Sequence, residues 1–125
     1  KKVPSEKHRA IYETVRRANA AAEAILKPGV PLCEVDKAAR QIIEDAGYGP
    51  NFTHRLGHFI GLEVHEYGDV SSANTKVAEV GNIFSIEPGI YVEGEVGVRI
   101  EDLVLITEDG CEILNSFSKE LDIVE

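Results

Sequence analysis

The spacing of apolar residues changes once along this chain, and that change constrains the fold more than any other feature. Up to Gly47, apolar side chains recur every three or four residues, whereas from Ile83 onwards they fall in short extended runs. The first spacing is typical of amphipathic helices and the second of β-strands. The order predicts an α+β fold, with two amphipathic helices packed on one face of an antiparallel β-sheet.

Two helices are predicted in the first part of the chain. The first begins at Pro4-Ser5 and ends at Pro28-Gly29, because proline cannot continue the helical hydrogen bonds and glycine readily takes up the turn. The second begins near Glu34 and ends at Gly47, which we predict as its C-terminal cap. Between Gly47 and Ile83 the chain is rich in glycine and predicts loops with short extended pieces.

Strands are predicted in the last third of the chain. The run 83–86 is interrupted at Pro88-Gly89 and resumes at 90–92. A longer strand follows at 98–107, and the turn Asp109-Gly110 connects it to a short strand at 111–114.

Length and charge exclude several classes of protein. A chain of 125 residues with 43% hydrophobic residues can form one compact core, so we expect a single domain over 1–125. Its formal net charge of −9 argues against binding nucleic acid through a basic surface. No apolar run approaches the ~18 residues of a membrane-spanning helix, and no secretory signal is recognisable. With only Cys33 and Cys111 as cysteines, a disulfide framework is not indicated, and we expect a cytoplasmic location.

Three of the four histidines lie within twelve residues of the glycine-rich middle: His54, His58 and His65. Imidazole is both a common metal ligand and a base near neutral pH. The spacing differs from the helical zinc-peptidase motif, and two glycines inside the cluster argue against a single helix. Structural histidines and a metal or proton-transfer site are both compatible with this cluster.

Two glutamates of the strand region are further candidates. The period of two places Arg99 and Glu101 on the face opposite Val98 and Ile100, where they form either a solvated charge pair or part of a site. Glu87 stands at the break of an apolar strand, where a carboxylate needs water or a positive partner. One imidazole and two glutamates would form an incomplete shell for Mn²⁺, Co²⁺ or Zn²⁺.

Three blocks of sequence occur in order: 54–66 (HRLGHFIGLEVHE), 85–91 (SIEPGIY) and 97–102 (GVRIED). With these blocks the chain resembles the pita-bread metallopeptidases, and within them the branch of Xaa-Pro dipeptidases (prolidases) and aminopeptidase P. The helical region 5–49 is also similar to that family. The resemblance implies the C-terminal part of a pita-bread (creatinase/aminopeptidase) fold.

The resemblance also implies roles for individual residues. Three of them correspond to metal ligands: His58, Glu87 and Glu101. His65 matches a histidine that contacts the substrate, His54 matches a second active-site histidine, and Arg99 would orient the bridging carboxylate of Glu101. The implied activity is hydrolysis of the peptide bond before proline in a dipeptide or short peptide. It would use two divalent metal ions, Mn²⁺ or Co²⁺ with Zn²⁺ as a further candidate. Relatives are often homodimers.

The family supplies two aspartate ligands ahead of the first helix, but the first aspartate of this chain is Asp36, and the chain contains no methionine. We therefore expect the C-terminal part of a catalytic domain, with an incomplete metal site and no normal activity in isolation. We also expect exposed apolar surface that favours self-association.

Three alternatives remain open on the sequence. The first is a non-catalytic pita-bread module that binds peptides or proteins, although such modules typically lose metal ligands. The second is a metal-free, creatinase-like hydrolase, which metal analysis would distinguish. The third is a small acidic α+β domain with structural histidines, which three ordered blocks disfavour.

Overall fold

Two helices precede seven strands in the computed structural model, which describes residues 5–60, 68–118 and 122–123. The helices are α1 (Glu6–Ile25) and α2 (Leu32–Asp45), and a short 3₁₀ turn follows at Gly49–Asn51. The strands are β1 (Gly57–His58), β2 (Asp69–Val70), β3 (Ile83–Ile86), β4 (Gly89–Val92), β5 (Val96–Ile106), β6 (Cys111–Ser118) and β7 (Asp122–Ile123). Neither helix is long and apolar enough to cross a lipid bilayer.

The helix ends follow local sequence signals. Ser5 caps α1, since its hydroxyl accepts a hydrogen bond of 3.1 Å from the backbone N–H of His8. The helix ends at Ile25, just before the predicted Pro-Gly stop. Helix α2 begins at Leu32, two residues earlier than predicted, because Pro31 can occupy the cap position without losing a helical hydrogen bond. Gly47 follows α2 with φ 91°, which confirms it as the cap residue.

Strand β5 organises the sheet. It pairs antiparallel with β3 and β4 along one edge and with β6 and β7 along the other. It extends over Val96–Ile106 rather than the predicted 98–107, and β6 is longer than the predicted 111–114. Strand β4 continues the line of β3 after the predicted break at Pro88-Gly89.

Burial alternates along β5. Val98, Ile100 and Val104 are buried on the face that α1 covers, while Arg99 and Glu101 are half-buried on the other face. This confirms the two predicted faces. The largest fully buried core side chains come from both helices and from the sheet: Ile11, Leu32, Ile43, Leu56, Phe84, Ile86, Ile90 and Ile106. The observed architecture is the predicted α+β fold, with helices on one face of the sheet.

Several large apolar side chains are exposed among the described residues: Ile25, Ile60, Val77, Val80, Ile113 and Leu114. Scattered apolar residues are ordinary on a protein surface, so their exposure alone does not establish an interface. Self-association and a homodimer stay predictions.

A buried ion pair joins α2 to the segment before β1. The carboxylate of Asp36, which is fully buried, accepts hydrogen bonds from Arg40 and from the backbone N–H of Leu56. The Arg40 guanidinium also donates to the carbonyl oxygens of Phe52 (3.0 Å) and His54 (2.9 Å). These bonds give hydrogen-bond partners to backbone groups of segment 52–56, and they hold that segment, which contains His54 and leads to His58, against α2.

Replacing Asp36 by alanine should destabilise the fold strongly. Asp36→Ala removes the buried carboxylate that pairs with Arg40, so the guanidinium keeps its carbonyl acceptors but loses its counter-charge. The N–H of Leu56 keeps the carbonyl oxygen of Val70 at 2.9 Å, and we expect a loss of about 2–4 kcal/mol, mainly from the unpaired charge of Arg40. Asp45→Ala is the matched control, because Asp45 is exposed on the same helix and accepts only from Gln41. We expect it to cost less than about 0.5 kcal/mol. Urea unfolding of both variants gives the comparison, and equal losses would contradict this role of Asp36.

Two carboxyl groups meet between α1 and β5. Burial, together with the hydrogen bond and charge of the buried Asp102, raises the pKa of Glu23 to about 8. Between the ordinary pKa of 4.5 and about 8, folded Glu23 holds a proton that the unfolded chain releases. The contribution of Glu23 to stability is therefore complete below pH 4.5 and is lost as the pH rises through about 8.

Glu23→Gln should flatten the pH dependence of stability. The amide keeps a hydrogen-bond donor but cannot ionise, so the free energy of unfolding should fall less between pH ~5 and ~8.5 than in the parent protein. Glu13→Gln is the control on the same helix, since Arg16 lowers the pKa of Glu13 and its titration lies below this pH range. Urea unfolding at both pH values measures the slope, and an unchanged slope in Glu23→Gln would refute the assignment.

Candidate metal and active site

The sheet face opposite the helices places two glutamates across from each other. Ile86 of β3 is paired with Asp102, and Gly89 of β4 is paired with Arg99. Three residues further along the chain thus correspond to three residues back along β5, so β3 and β4 pair with β5 in one continuous register. This register places Glu87, inside the break, opposite Glu101. Like charges directly opposite each other in an antiparallel pair repel, and a positive charge between them removes the repulsion. This part of the sheet therefore favours a cation.

Strand β1 brings a histidine to the same carboxylate. The Nε2 atom of His58 lies 3.4 Å from Oε2 of Glu87, and the two side chains are 43% and 14% exposed. The other ring nitrogen, Nδ1, lies 3.4 Å from the backbone carbonyl oxygen of Phe59, which can only accept a hydrogen bond. With the proton on Nδ1, Nε2 would direct a lone pair towards Glu87 and the two could share a cation, whereas a proton on Nε2 would make the same contact a hydrogen bond.

The three predicted ligands are thus brought together only in part. His58 contacts Glu87, and the strand register places Glu101 opposite Glu87. Across residues 5–60 and 68–118, no group of three histidine, cysteine, aspartate or glutamate side chains already forms a metal-binding cluster. The donor chemistry, one imidazole nitrogen with carboxylate oxygens, fits part of a shell for Mn²⁺, Co²⁺ or Zn²⁺. The ligand roles stay predictions.

His54 lies at the edge of this face and is held by hydrogen bonds at both ring nitrogens. Nδ1 donates to the carbonyl oxygen of Arg55 over 2.7 Å, so in the neutral ring Nε2 accepts from the Tyr91 hydroxyl at 2.9 Å. Burial raises the pKa of Tyr91, while the neighbouring Arg99 acts to lower it. Tyr91 therefore stays a neutral donor at physiological pH.

Sequence reasoning assigned no role to Tyr91, since an aromatic residue in a strand is usually a core residue. Its phenol in fact lies over Gly89, where an added Cβ atom would come within 2.6 Å of the hydroxyl oxygen. The absence of a side chain at that position lets Tyr91 lie between His54 and Arg99. The motif Pro-Gly-Ile-Tyr was the available signal, but only the fold shows what the tyrosine reaches.

Two further predicted residues stay untested. Arg99 lies on the same face as Glu101, and it acts on the Tyr91 hydroxyl through its charge and a hydrogen bond. Whether it also orients Glu101 stays a prediction. His65 lies outside the described residues, so its predicted contact with substrate has no structural test.

Comparisons with known proteins identify a family and a fold. The model of metallopeptidase family M24 matches residues 2–108. An uncharacterized peptidase of Staphylococcus haemolyticus is 54% identical over 116 residues, which are 93% of this chain and 33% of that protein. A second uncharacterized peptidase, from Staphylococcus aureus, is 50% identical over the same length. The chain spans about a third of the length of these curated relatives.

Solved structures give the same result. A prolidase from Pyrococcus furiosus superposes with a TM-score of 0.87 at 46% identity, covering 94% of this chain and 35% of that one. An X-Pro aminopeptidase from Thermotoga maritima gives 0.86 at 42% identity, covering 94% and 34%. This similarity confirms the predicted pita-bread fold.

Gly57→Ala should displace the strand that carries His58. An added Cβ atom at Gly57 would lie 1.8 Å from the carbonyl oxygen of Ser85, so β1 could not keep its place against β3. We expect a loss of about 2 kcal/mol or more in the free energy of unfolding. Gly110→Ala is the control, since its Cβ would meet only the carbonyl oxygen of Leu26, at an ordinary 3.6 Å. Equal thermal unfolding of the two variants would contradict the close packing of β1.

Proposed function

The chain belongs to metallopeptidase family M24, and from that membership we propose that the protein carrying it is a proline-specific peptidase with two divalent metal ions. Its substrate would be a dipeptide or short peptide, cleaved at the bond before proline. Support comes from solved relatives that are named as prolidases, an X-Pro aminopeptidase and an Xaa-Pro dipeptidase. Mn²⁺ and Co²⁺ are the metals we propose first, and Zn²⁺ would suit the same donors.

The contact between His58 and Glu87 is the observation that supports this proposal most directly. At 3.4 Å, Nε2 of His58 and the Glu87 carboxylate oxygen have either a proton or a metal ion between them, and one metal ion could bind both. The pairing of β3 and β4 with β5 places a second carboxylate, that of Glu101, opposite Glu87. Backbone hydrogen bonds hold both glutamates, since Glu101 lies in β5 and the N–H of Glu87 donates to the carbonyl oxygen of Leu56 at 2.7 Å. This suits a site whose donors must keep fixed positions.

Divalent ions held by these donors would polarise the peptide carbonyl and lower the pKa of a water molecule. His58 would supply a nitrogen ligand through Nε2, and Glu87 and Glu101 would supply oxygen ligands. His54, held in one tautomer by Arg55 and Tyr91, would present a fixed imidazole beside them. We propose that His65 contacts the substrate, on the resemblance of block 54–66 alone.

Removing the bridging carboxylate should abolish metal-dependent hydrolysis. In the full-length protein, Glu101→Gln should lower kcat/KM for an Ala-Pro dipeptide by more than about 100-fold, because the metal supplies several kcal/mol of charge stabilisation. Glu108→Gln is the matched control, since Glu108 is exposed in the turn after β5. Dipeptide hydrolysis with added Mn²⁺ and after chelation measures both variants.

The same assay separates the competing functions. Hydrolysis that survives chelation would favour a metal-free hydrolase. Equal cleavage of Ala-Pro and Ala-Ala would contradict proline specificity but not the peptidase activity. Peptide binding without hydrolysis, under every metal condition, would favour a non-catalytic binding module and overturn the proposal.

A further inference from the structure

Ser85 lies between the two side chains that meet at the candidate site. It is fully buried in β3, and its hydroxyl donates to Oε2 of Glu87 over 2.7 Å. The hydroxyl oxygen of Ser85 also accepts a hydrogen bond from the backbone N–H of His58, at 3.0 Å. The Ser85 hydroxyl therefore connects Glu87, which directly follows β3, with His58 of β1.

The directions of these bonds follow from chemistry. A backbone N–H can only donate, so a lone pair of the Ser85 hydroxyl receives the N–H of His58. The single hydroxyl proton has two acceptors in reach, and it goes to the Glu87 carboxylate oxygen at 2.7 Å rather than to the His58 carbonyl oxygen at 3.5 Å. Residues two apart on a strand share a face, which makes Ser85 and Glu87 neighbours. Because Ser85 is shielded from solvent, water cannot readily replace either bond.

The backbone geometry shows why these bonds persist. Gly57 lies so close to the carbonyl of Ser85 that a Cβ atom there would overlap it. Strand β1 is held against β3 at this point also by the bridge between Phe59 and Phe84. The close packing of β1 against β3 therefore holds the N–H of His58 next to the Ser85 hydroxyl.

We propose that Ser85 is a positioning residue for metal binding. Its hydroxyl orients the Glu87 carboxylate and sets the position of His58 relative to it, so that both donors can bind one ion. Ser85 itself contacts neither metal nor substrate. The inference rests on the proposed function, since it takes His58 and Glu87 as ligands. A merely structural hydroxyl would affect stability and leave metal affinity unchanged in the folded protein.

Co²⁺ binding to the full-length protein tests this role. Ser85→Ala and Ser85→Gly remove the hydroxyl without adding a metal ligand, and both should weaken Co²⁺ affinity by about 10–100-fold, as is usual for partners that orient a ligand. Both should also change the visible absorption of bound Co²⁺, which reports ligand geometry. Ser85→Thr keeps the hydroxyl and should restore both properties.

Thr14→Val is the matched control. Thr14 is also a buried hydroxyl residue, but it donates to the carbonyl of Ala10 within α1. Its removal should leave Co²⁺ affinity and absorption unchanged. Circular dichroism confirms that each variant is folded, and calorimetric titration gives the affinity.

The outcomes separate the two claims. If the parent protein binds Co²⁺ and folded Ser85→Ala and Ser85→Gly bind it equally well, the role of Ser85 is refuted and the proposed function stands. If Ser85→Thr is as weak as Ser85→Ala, packing rather than the hydroxyl is responsible and the role is again refuted. If the parent protein binds no Co²⁺, the proposed function fails and takes this inference with it.

Discussion

The placement of two glutamates opposite each other across one antiparallel register is the constraint on which the site depends. Glu87 and Glu101 are half-buried, where like charges repel more strongly than in water. At Glu87, the Ser85 hydroxyl donates a hydrogen bond and Nε2 of His58 lies 3.4 Å away, and Arg99 lies along the same face as Glu101. A divalent cation would complete this arrangement by placing positive charge between the two oxygens.

The rest of the fold keeps these strands in place. Helix α1 covers the back of β5 with buried apolar residues, so the register cannot slip without moving every core side chain to the wrong face. Helix α2 acts through Asp36 and Arg40, which hold the segment before β1 by its backbone. Both helices therefore support the site from residues that do not belong to it.

Local patterns in the sequence predicted much of the fold. The cap at Ser5, the break at Pro88 and the alternation of Arg99 and Glu101 depend on neighbouring residues, so they could be deduced directly. The three sequence blocks identified the candidate ligands by resemblance. Contacts between distant segments could not be predicted. The pairs of Tyr91 with His54, and of Glu23 with Asp102, depend on how helices and strands pack.

Crystals of the full-length protein grown with Zn²⁺ would test the central claim most directly, through the anomalous scattering of the metal. The account predicts a peak at about 2.0–2.2 Å from Nε2 of His58 and from carboxylate oxygens of Glu87 and Glu101. Zinc bound only at surface carboxylates, with these three side chains directed away from one another, would contradict it.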